Sequence, residues 1–314
     1  MKLIIQIPCF NEEDTLPATI CDLPTHVEGF DIVEYLVIDD GSTDKTYERA
    51  KKLGVHHVIQ LGSNRGLATA FKFGLEYALE KGADVVVNTD GDNQYCADDI
   101  PKLTKPIIDK QADMVIGCRP IRKHPEFVFF KKLLQLIGSW TLRKVSKTDV
   151  RDATSGFRAF SRETCQRLSI FSQFSYTMES LIQAGNSGLR LRSVDIRVNR
   201  KTRNSRLFRN IPEFIFRSGS TILMMFLLYR PGRFFTICSS FFLLPAFGLG
   251  LRFLYLVYLN PDSERTYIPS LILLSIFAWT GFLLIALGLI GMKIKALRQI
   301  QNEILYLTRK NRGH

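Results

Sequence analysis

Short apolar runs alternate with longer amphipathic stretches over the first 200 residues. The runs "LIIQI" (3–7), "YLVI" (35–38), "HHVIQL" (56–61), "DVVVN" (84–88) and "DMVIG" (113–117) are rich in β-branched side chains and bounded by Asp, Gly or Pro. That is the pattern of strands covered on both faces. Between them lie helical stretches such as "GLATAFKFGLEYALEKG", where Leu67, Phe71, Leu75, Ala78 and Leu79 fall on one face and Gly82 supplies the stop. The alternation predicts an α/β domain with a mostly parallel sheet between two layers of helices. Ligands of such sheets gather at the carboxyl ends of the strands.

The last third follows another rule. Only Arg252 is charged between Phe234 and Leu259, and nothing is charged between Tyr267 and Met292. Each run exceeds the roughly 20 residues that a helix needs to cross a hydrocarbon core. Two spans, about 234–259 and 267–292, joined by the polar "NPDSERT", predict a transmembrane hairpin. Arg252 is costly inside a span unless it snorkels, faces a partner helix or meets a lipid phosphate. Arg230 and Arg233 precede the hairpin and Lys293, Lys295 and Arg298 follow it, against Arg265 beside two acids in the connector. The positive-inside rule puts both ends, and everything before residue 230, on the cytoplasmic side. The stretch "RNIPEFIFRSGSTILMMFLLYRPG" (209–232) reads as interfacial helix lying on the bilayer. The organisation expected is an α/β domain over 1–208, interfacial helices over 209–230, and hairpin plus basic amphipathic tail over 231–314.

Charge adds a partner class. The 42 Lys plus Arg outnumber 30 Asp plus Glu, a formal +12, which favours anionic partners. Beside a membrane anchor, the basic segment "DIRVNRKTRNSRLFR" reads as a contact for lipid phosphates and not for nucleic acid. Six scattered cysteines carry no C-x-x-C spacing, so neither a zinc site nor a disulfide framework is expected and the thiols are expected reduced. "MKLIIQIPCFNEE" has too short an apolar run for a signal peptide and reads as a first strand.

Candidate chemistry sits at the strand ends: "IPCFNEE", "VIDDGSTDKT", "GSNRGLATA" and "NTDGDNQY" follow the first four runs. The dinucleotide and P-loop glycine fingerprints are absent. Asp90 and Asp92, with Gln94 two further on, offer hard oxygen donors on alternate residues of a turn, suited to Mg²⁺ or Mn²⁺ shared with ligand phosphates. Alone, Asp-Gly pairs are equally ordinary turn formers. Asp98 and Asp99, just before "IPKL", are expected to cap the next helix and complement its dipole.

Together "IPCFNEE", "DDGSTDKT", "NRGLATA", "DGDNQY", "GCRP", "DATSGFRAF" and "YTMES" come in the order of the family 2 glycosyltransferases of the GT-A fold. The chain most resembles the polyisoprenyl-phosphate glycosyltransferases: dolichol-phosphate mannose synthases over residues 1–210, and bacterial undecaprenyl-phosphate glucosyltransferases in its two-span hairpin. The resemblance implies that Pro8, Phe10 and Glu12 hold the nucleoside, that Asp39 and Asp40 contact base or ribose, and that Asp90, Asp92 and Gln94 hold the metal and donor diphosphate. It implies that Arg119, Arg151 and Ser155 contact the acceptor lipid's phosphate, with Asp92, Arg119 and Arg151 carrying catalysis. Arg200, Ser205 and Arg206 match the family's R-x-x-G-x-S-K, although Arg203 replaces its Gly and Arg206 its Lys. Asp152 and Glu179 recur on the acceptor side, as structural or catalytic acids.

The reaction implied is metal-dependent, inverting transfer of a sugar from a nucleotide sugar to dolichyl or undecaprenyl phosphate at the cytoplasmic face. A UDP-sugar is favoured over GDP-mannose by the two-span architecture. A phosphomonoester has a second pKa of about 6, so it is largely dianionic at neutral pH and needs no base. A family 2 enzyme acting on a sugar hydroxyl would need one at Glu179, and its usual Q-x-x-R-W is missing here. A noncatalytic membrane scaffold is the reading from another class. Hairpin contacts between subunits, hence a homo-oligomer, complete the expectations.

Overall fold

The computed structural model describes residues 1–120, 150–170, 176–199, 220, 223–224, 226–259 and 268–312. It divides into two compact units, Met1–Gly219 with Asn302–His314, and Ser220–Gln301.

The first unit is built on a seven-stranded sheet among the described residues. Its strands are β1 (Lys2–Cys9), β2 (Ile32–Asp39), β3 (His57–Gln60), β4 (Val85–Asn88), β5 (Met114–Cys118), β6 (Arg158–Ser161) and β7 (Leu191–Asp195), in the order β3-β2-β1-β4-β6-β5-β7. All pairings are parallel except those of β6, which runs antiparallel between β4 and β5. The predicted strand runs all form, and the mostly parallel sheet is as expected. The register puts Cys9 opposite Asp39 and Gln6 opposite Asn88, so the carboxyl ends of β1, β2 and β4 share one rim.

The helices of this unit are α1 (Leu16–Asp22), α2 (Thr46–Lys52), α3 (Leu67–Glu80), α4 (Ile100–Ile108), α5 (Arg162–Arg167) and α6 (Tyr176–Asn186). In α3 the buried residues are Ala68, Ala70, Phe71, Gly74, Leu75 and Ala78, whereas Leu67 is exposed and Leu79 only partly covered. This corrects the predicted stripe by part of a turn. Gly74 is the reason: a Cβ there would come within 2.5 Å of Gln6 and 2.8 Å of Ile38, so the helix rests on the sheet through its smallest residue.

The second unit is a pair of helices, α7 (Pro231–Leu259) and α8, which runs unbroken over Ile268–Arg312. Both are long and apolar enough to cross a membrane by length and composition. They lie antiparallel, with Pro231 against Gly291, Phe235 against Gly288, Leu243 against Gly281 and Leu274 against Gly250, and Ser239 donating to the Gly281 carbonyl at 2.9 Å. Small residues let the backbones approach, as in membrane helix pairs. The tail is no separate helix; it continues α8. Its last turns belong to the first unit, where Arg309 donates to the Leu168 carbonyl at 2.5 Å and pairs with Glu76 at 2.7 Å. Most of the predicted interfacial segment 209–230 lies outside the described residues.

Candidate active site

Three of the four candidate turns meet at the shared rim. After β1 the chain turns through Asn11, in the left-handed region at φ 54°, whose side-chain oxygen accepts from the Thr43 amide at 2.8 Å. This ties the first turn to the one after β2. Pro8 is buried within β1, Phe10 stands exposed at the mouth, and the buried Glu12 accepts from the Thr15 hydroxyl at 2.7 Å.

The two aspartates after β2 divide their work. Asp40 accepts from the amides of Arg65 and Gly66 at 2.9 and 2.8 Å, shaping the turn that enters α3. Its pKa is raised, because burial outweighs those two amides and Asp39 adds its charge. Asp39 is fully buried, accepts from the Ser42 amide with one oxygen and leaves the other without a partner. An orphaned buried carboxylate oxygen marks where a ligand donor fits.

The acid-rich turn leaves β4 after Asn88. Gly91 lies against Cys9, where a Cβ would meet the sulfur at 2.7 Å, and its carbonyl accepts from the Thr15 and Thr19 hydroxyls. Asn93, at φ 54°, reverses the chain. Asp90 is packed round by protein although part of its surface stays open; burial and then the neighbouring Asp92 push its pKa up to about 7, against the favourable Arg119 and Tyr95. Two carboxylates forced together suit a divalent cation. No cluster of three metal-binding acids, histidines or cysteines exists among the described residues; the turn carries two carboxylates, Asp90 and Asp92, with Gln94 next in line, its backbone amide donating to Asp92 at 3.2 Å. Such hard oxygen donors would suit Mg²⁺ or Mn²⁺. Asp98 and Asp99 belong elsewhere. Asp99 occupies the N-cap position of α4 but makes no capping bond; it pairs with Lys102 at 2.7 Å and Arg197 at 3.0 Å, while Asp98 meets Arg197 at 3.3 Å. The capping expectation is corrected, because two cations outcompete the helix amides.

On the other side of the turn stands Arg119, just past β5. Its guanidinium grips Asp152 with both arms, at 2.8 and 3.1 Å, and donates to the Thr154 hydroxyl at 2.7 Å. Burial would raise the Asp152 pKa, but Arg119 and Thr154 overcome it and hold the carboxyl below its usual range. Ser155 follows on the same turn. Its buried hydroxyl lies near enough to Tyr95 to favour the phenolate, but outside hydrogen-bonding geometry, and is left without a partner. Arg151 does not join them: it is exposed and paired with Asp195 at 3.0 Å, in a groove of about 560 Å³ with Lys102, Lys105 and Arg192. Arg200, Ser205 and Arg206 lie outside the described residues, but the chain leading to them is fastened to the acid-rich turn. Asn199 donates its amide to the Gln94 carbonyl at 2.9 Å and its side chain to the carbonyls of Asn93 and Tyr95. Glu179 is fully buried in α6, taking a 3.3 Å hydrogen bond from Gln183.

Residues that the motifs did not single out hold this arrangement together: Asn88, Tyr95, Gly156, Arg158 and Asn199. Asn88 and Tyr95 bound the quoted "NTDGDNQY", and Gly156 and Arg158 stand in "DATSGFRAF", but nothing in those motifs gave them a role; Asn199 lies in the basic segment.

Comparison with known proteins decides the class. The model of glycosyl transferase family 2 matches residues 4–169, just over half of the chain. The chain belongs to glycosyltransferase family 2. The undecaprenyl-phosphate mannosyltransferase of Micrococcus luteus is 31% identical over 176 residues, 54% of this chain and 70% of that protein. The UDP-N-acetylglucosamine–dolichyl-phosphate N-acetylglucosaminyltransferase of Methanococcus voltae is 32% identical over 62% of this chain and 85% of its own length. Among solved structures, glucosyl-3-phosphoglycerate synthase from Mycobacterium tuberculosis, in complex with Mn²⁺, uridine diphosphate and phosphoglyceric acid, superimposes with a TM-score of 0.54 at 21% identity, over 72% of this chain and 77% of that one. The GT-A likeness of the α/β unit is thereby established, and this family 2 glycosyltransferase is an enzyme by family.

Proposed function

We propose that this family 2 glycosyltransferase moves a sugar from a nucleotide sugar, with UDP-sugars favoured over GDP-mannose, to the phosphate of a long polyisoprenol at the cytoplasmic face of a membrane. One observation carries the acceptor class: Asp152, the carboxylate gripped by Arg119, also accepts from Thr154 and is held below its usual pKa range, so it orients an arginine and is a poor base for deprotonating an alcohol. An acceptor that brings its own anionic oxygen fits such a site. Arg119 then binds and aims that oxygen, and the unpartnered Ser155 hydroxyl donates to it. Two relatives bear names with polyprenyl-phosphate acceptors, and α7 and α8 suit an enzyme whose acceptor tail stays in the bilayer.

On the donor side Phe10 stacks on the base and the free oxygen of Asp39 accepts from base or ribose. Asp90, Asp92 and Gln94 would hold Mg²⁺ or Mn²⁺, which when bound neutralises charge growing on the departing nucleoside diphosphate. Arg200 and Arg206 supply the basic surroundings of the acceptor head, while Arg151, paired with Asp195, stands apart from it, and inversion follows from direct attack by the lipid phosphate.

The test incubates the purified full chain with Mg²⁺ or Mn²⁺, a short polyisoprenyl phosphate and a panel of labelled UDP- and GDP-sugars. Label is expected in the lipid phase from one UDP-sugar, and Asp92→Ala is expected to lower turnover by about 100-fold. Failure of every donor sinks the proposal. Transfer to a sugar hydroxyl, abolished by Glu179→Gln, would replace it with the hydroxyl-acceptor reading.

A further inference from the structure

The strongest unexplained group in the catalytic unit is a cation inside the core. Arg158 opens β6 with no exposed surface, and no carboxylate of the described residues forms an ion pair with it. Burial lowers its pKa to about 10, so it remains charged at neutral pH. A buried guanidinium is expensive unless its N–H groups are satisfied. Four contacts satisfy four of its five N–H groups. Nε donates to the Ser155 carbonyl at 2.7 Å, Nη2 to the Ala153 carbonyl at 2.8 Å, and Nη1 to the Thr177 carbonyl and Ser180 hydroxyl of α6 at 2.7 and 2.8 Å.

The direction of these bonds matters. In a trans peptide the carbonyl of one residue and the amide of the next point opposite ways. Pulling the carbonyls of 153 and 155 inward therefore turns the amides of Thr154 and Gly156 toward the site. The Thr154 amide holds Asp152 Oδ1 at 3.2 Å, and Asp152 holds Arg119 with both oxygens. The Gly156 amide holds the Tyr95 hydroxyl at 3.1 Å, and the glycine itself is the floor under Asp90: a Cβ there would come within 2.9 and 3.1 Å of the two carboxylate oxygens. One clamp thus lies behind both halves of the site.

We propose that Arg158 is a positioning residue that fixes, from within the core, the 152–156 turn on which acceptor-side Arg119 and donor-side Asp90 both rest. The role deepens the lipid-phosphate reading and rests on it for the Arg119 half; the Asp90 half is independent of the acceptor's identity. A residue serving stability alone would change melting without moving metal and acceptor affinities together.

The test uses the detergent-solubilised full chain carrying Arg158→Lys, which keeps the charge but loses the planar fork. Three readouts are taken: thermal melting, Mn²⁺ binding by paramagnetic resonance without substrates, and separate KM values for nucleotide sugar and lipid phosphate. Expected are a folded protein, Mn²⁺ affinity and acceptor KM each worsened by about tenfold, and a nearly unchanged donor KM at saturating metal. Because the acceptor effect runs through Asp152, adding Arg158→Lys to Asp152→Asn should raise acceptor KM no further. A folded variant with wild-type Mn²⁺ affinity and acceptor KM, or losses that multiply fully with those of Asp152→Asn, overturns the proposal. If Arg158→Lys fails to fold, Ser180→Ala removes one of the two partners of Nη1 and is read the same way: a rise of about twofold in both constants is expected, since the Thr177 carbonyl still holds Nη1, and no rise overturns it. If the wild type transfers nothing to lipid phosphate, the acceptor reading falls, while the Mn²⁺ measurement still decides for or against the clamp.

Discussion

Asp39 and Asp40 are adjacent, identical and both buried, yet they differ in what would happen on removal. Asp40 accepts from two backbone amides of the turn entering α3, so Asp40→Ala leaves the Arg65 amide without its acceptor and the Gly66 amide with only the Asn64 side-chain oxygen, and should cost about 1–3 kcal/mol of stability. Asp39 leaves one oxygen unused within the fold, so Asp39→Ala should change melting far less while weakening UDP binding by about tenfold or more. Melting curves and UDP titrations on the two variants check this. Equal loss of melting in both would refute the division. Sequence identified the pair but not the division, because the partner amides of Arg65 and Gly66 are about 25 residues away and only the closed turn brings them near. The same limit applies to the arginines. Arg119 and Arg151 read alike as residues, but Arg119 lies just past β5 within the field of Asp90 while Arg151 faces Asp195 on the exposed edge.

At the scale of elements, β1 to β5 were legible because each is a short apolar run rich in β-branched residues and bounded by turn residues, whereas the parallel β7, "LRSVD", has a single β-branched residue and was not read. Nor was β6: "RAFS" is four residues, begins with the buried Arg158 and follows no clear turn, so its place between β4 and β5 depends on tertiary pairing. The same holds for the link between α4 and the chain after β7. There Asp99 is fully buried between Lys102 and Arg197; burial raises its pKa, but the two cations outweigh that and the net shift is downward. A depressed folded pKa gives stability that is present above the unfolded value, near 4, and lost as pH falls through the folded value. Asp99→Asn should therefore destabilise the protein by about 1–2 kcal/mol at pH 7. The gap from wild type should close in urea titrations carried below pH ~4. A gap that is independent of pH would show that Asp99 acts by shape and not by charge.

Over the whole chain, the two apolar helices were plain from composition, since nothing but length and the absence of charge is needed to read them. The unbroken course of α8 was not, because its composition changes at Lys293 from apolar to basic while its backbone does not. The end of that helix completes the catalytic unit. Arg309 donates to the carbonyls of Gln166 and Leu168, at the end of α5, and pairs with Glu76 of α3, while the buried Tyr306 lies under the Arg167 guanidinium. These carbonyls have finished their helix and find a cation where its dipole is negative. Arg309→Ala should thus cost the catalytic unit about 1–3 kcal/mol, seen as earlier unfolding of that unit in the full chain. A fragment ending at residue 219 should show the same loss, and adding Arg309→Ala to the full chain should bring the two to similar stability. A fragment as stable as the catalytic unit of the intact protein would mean that the last turns of α8 contribute nothing to it. The family match ends at residue 169, one residue past the Leu168 carbonyl that Arg309 holds. The stability of the shared catalytic fold would then depend on a residue 140 positions beyond that match.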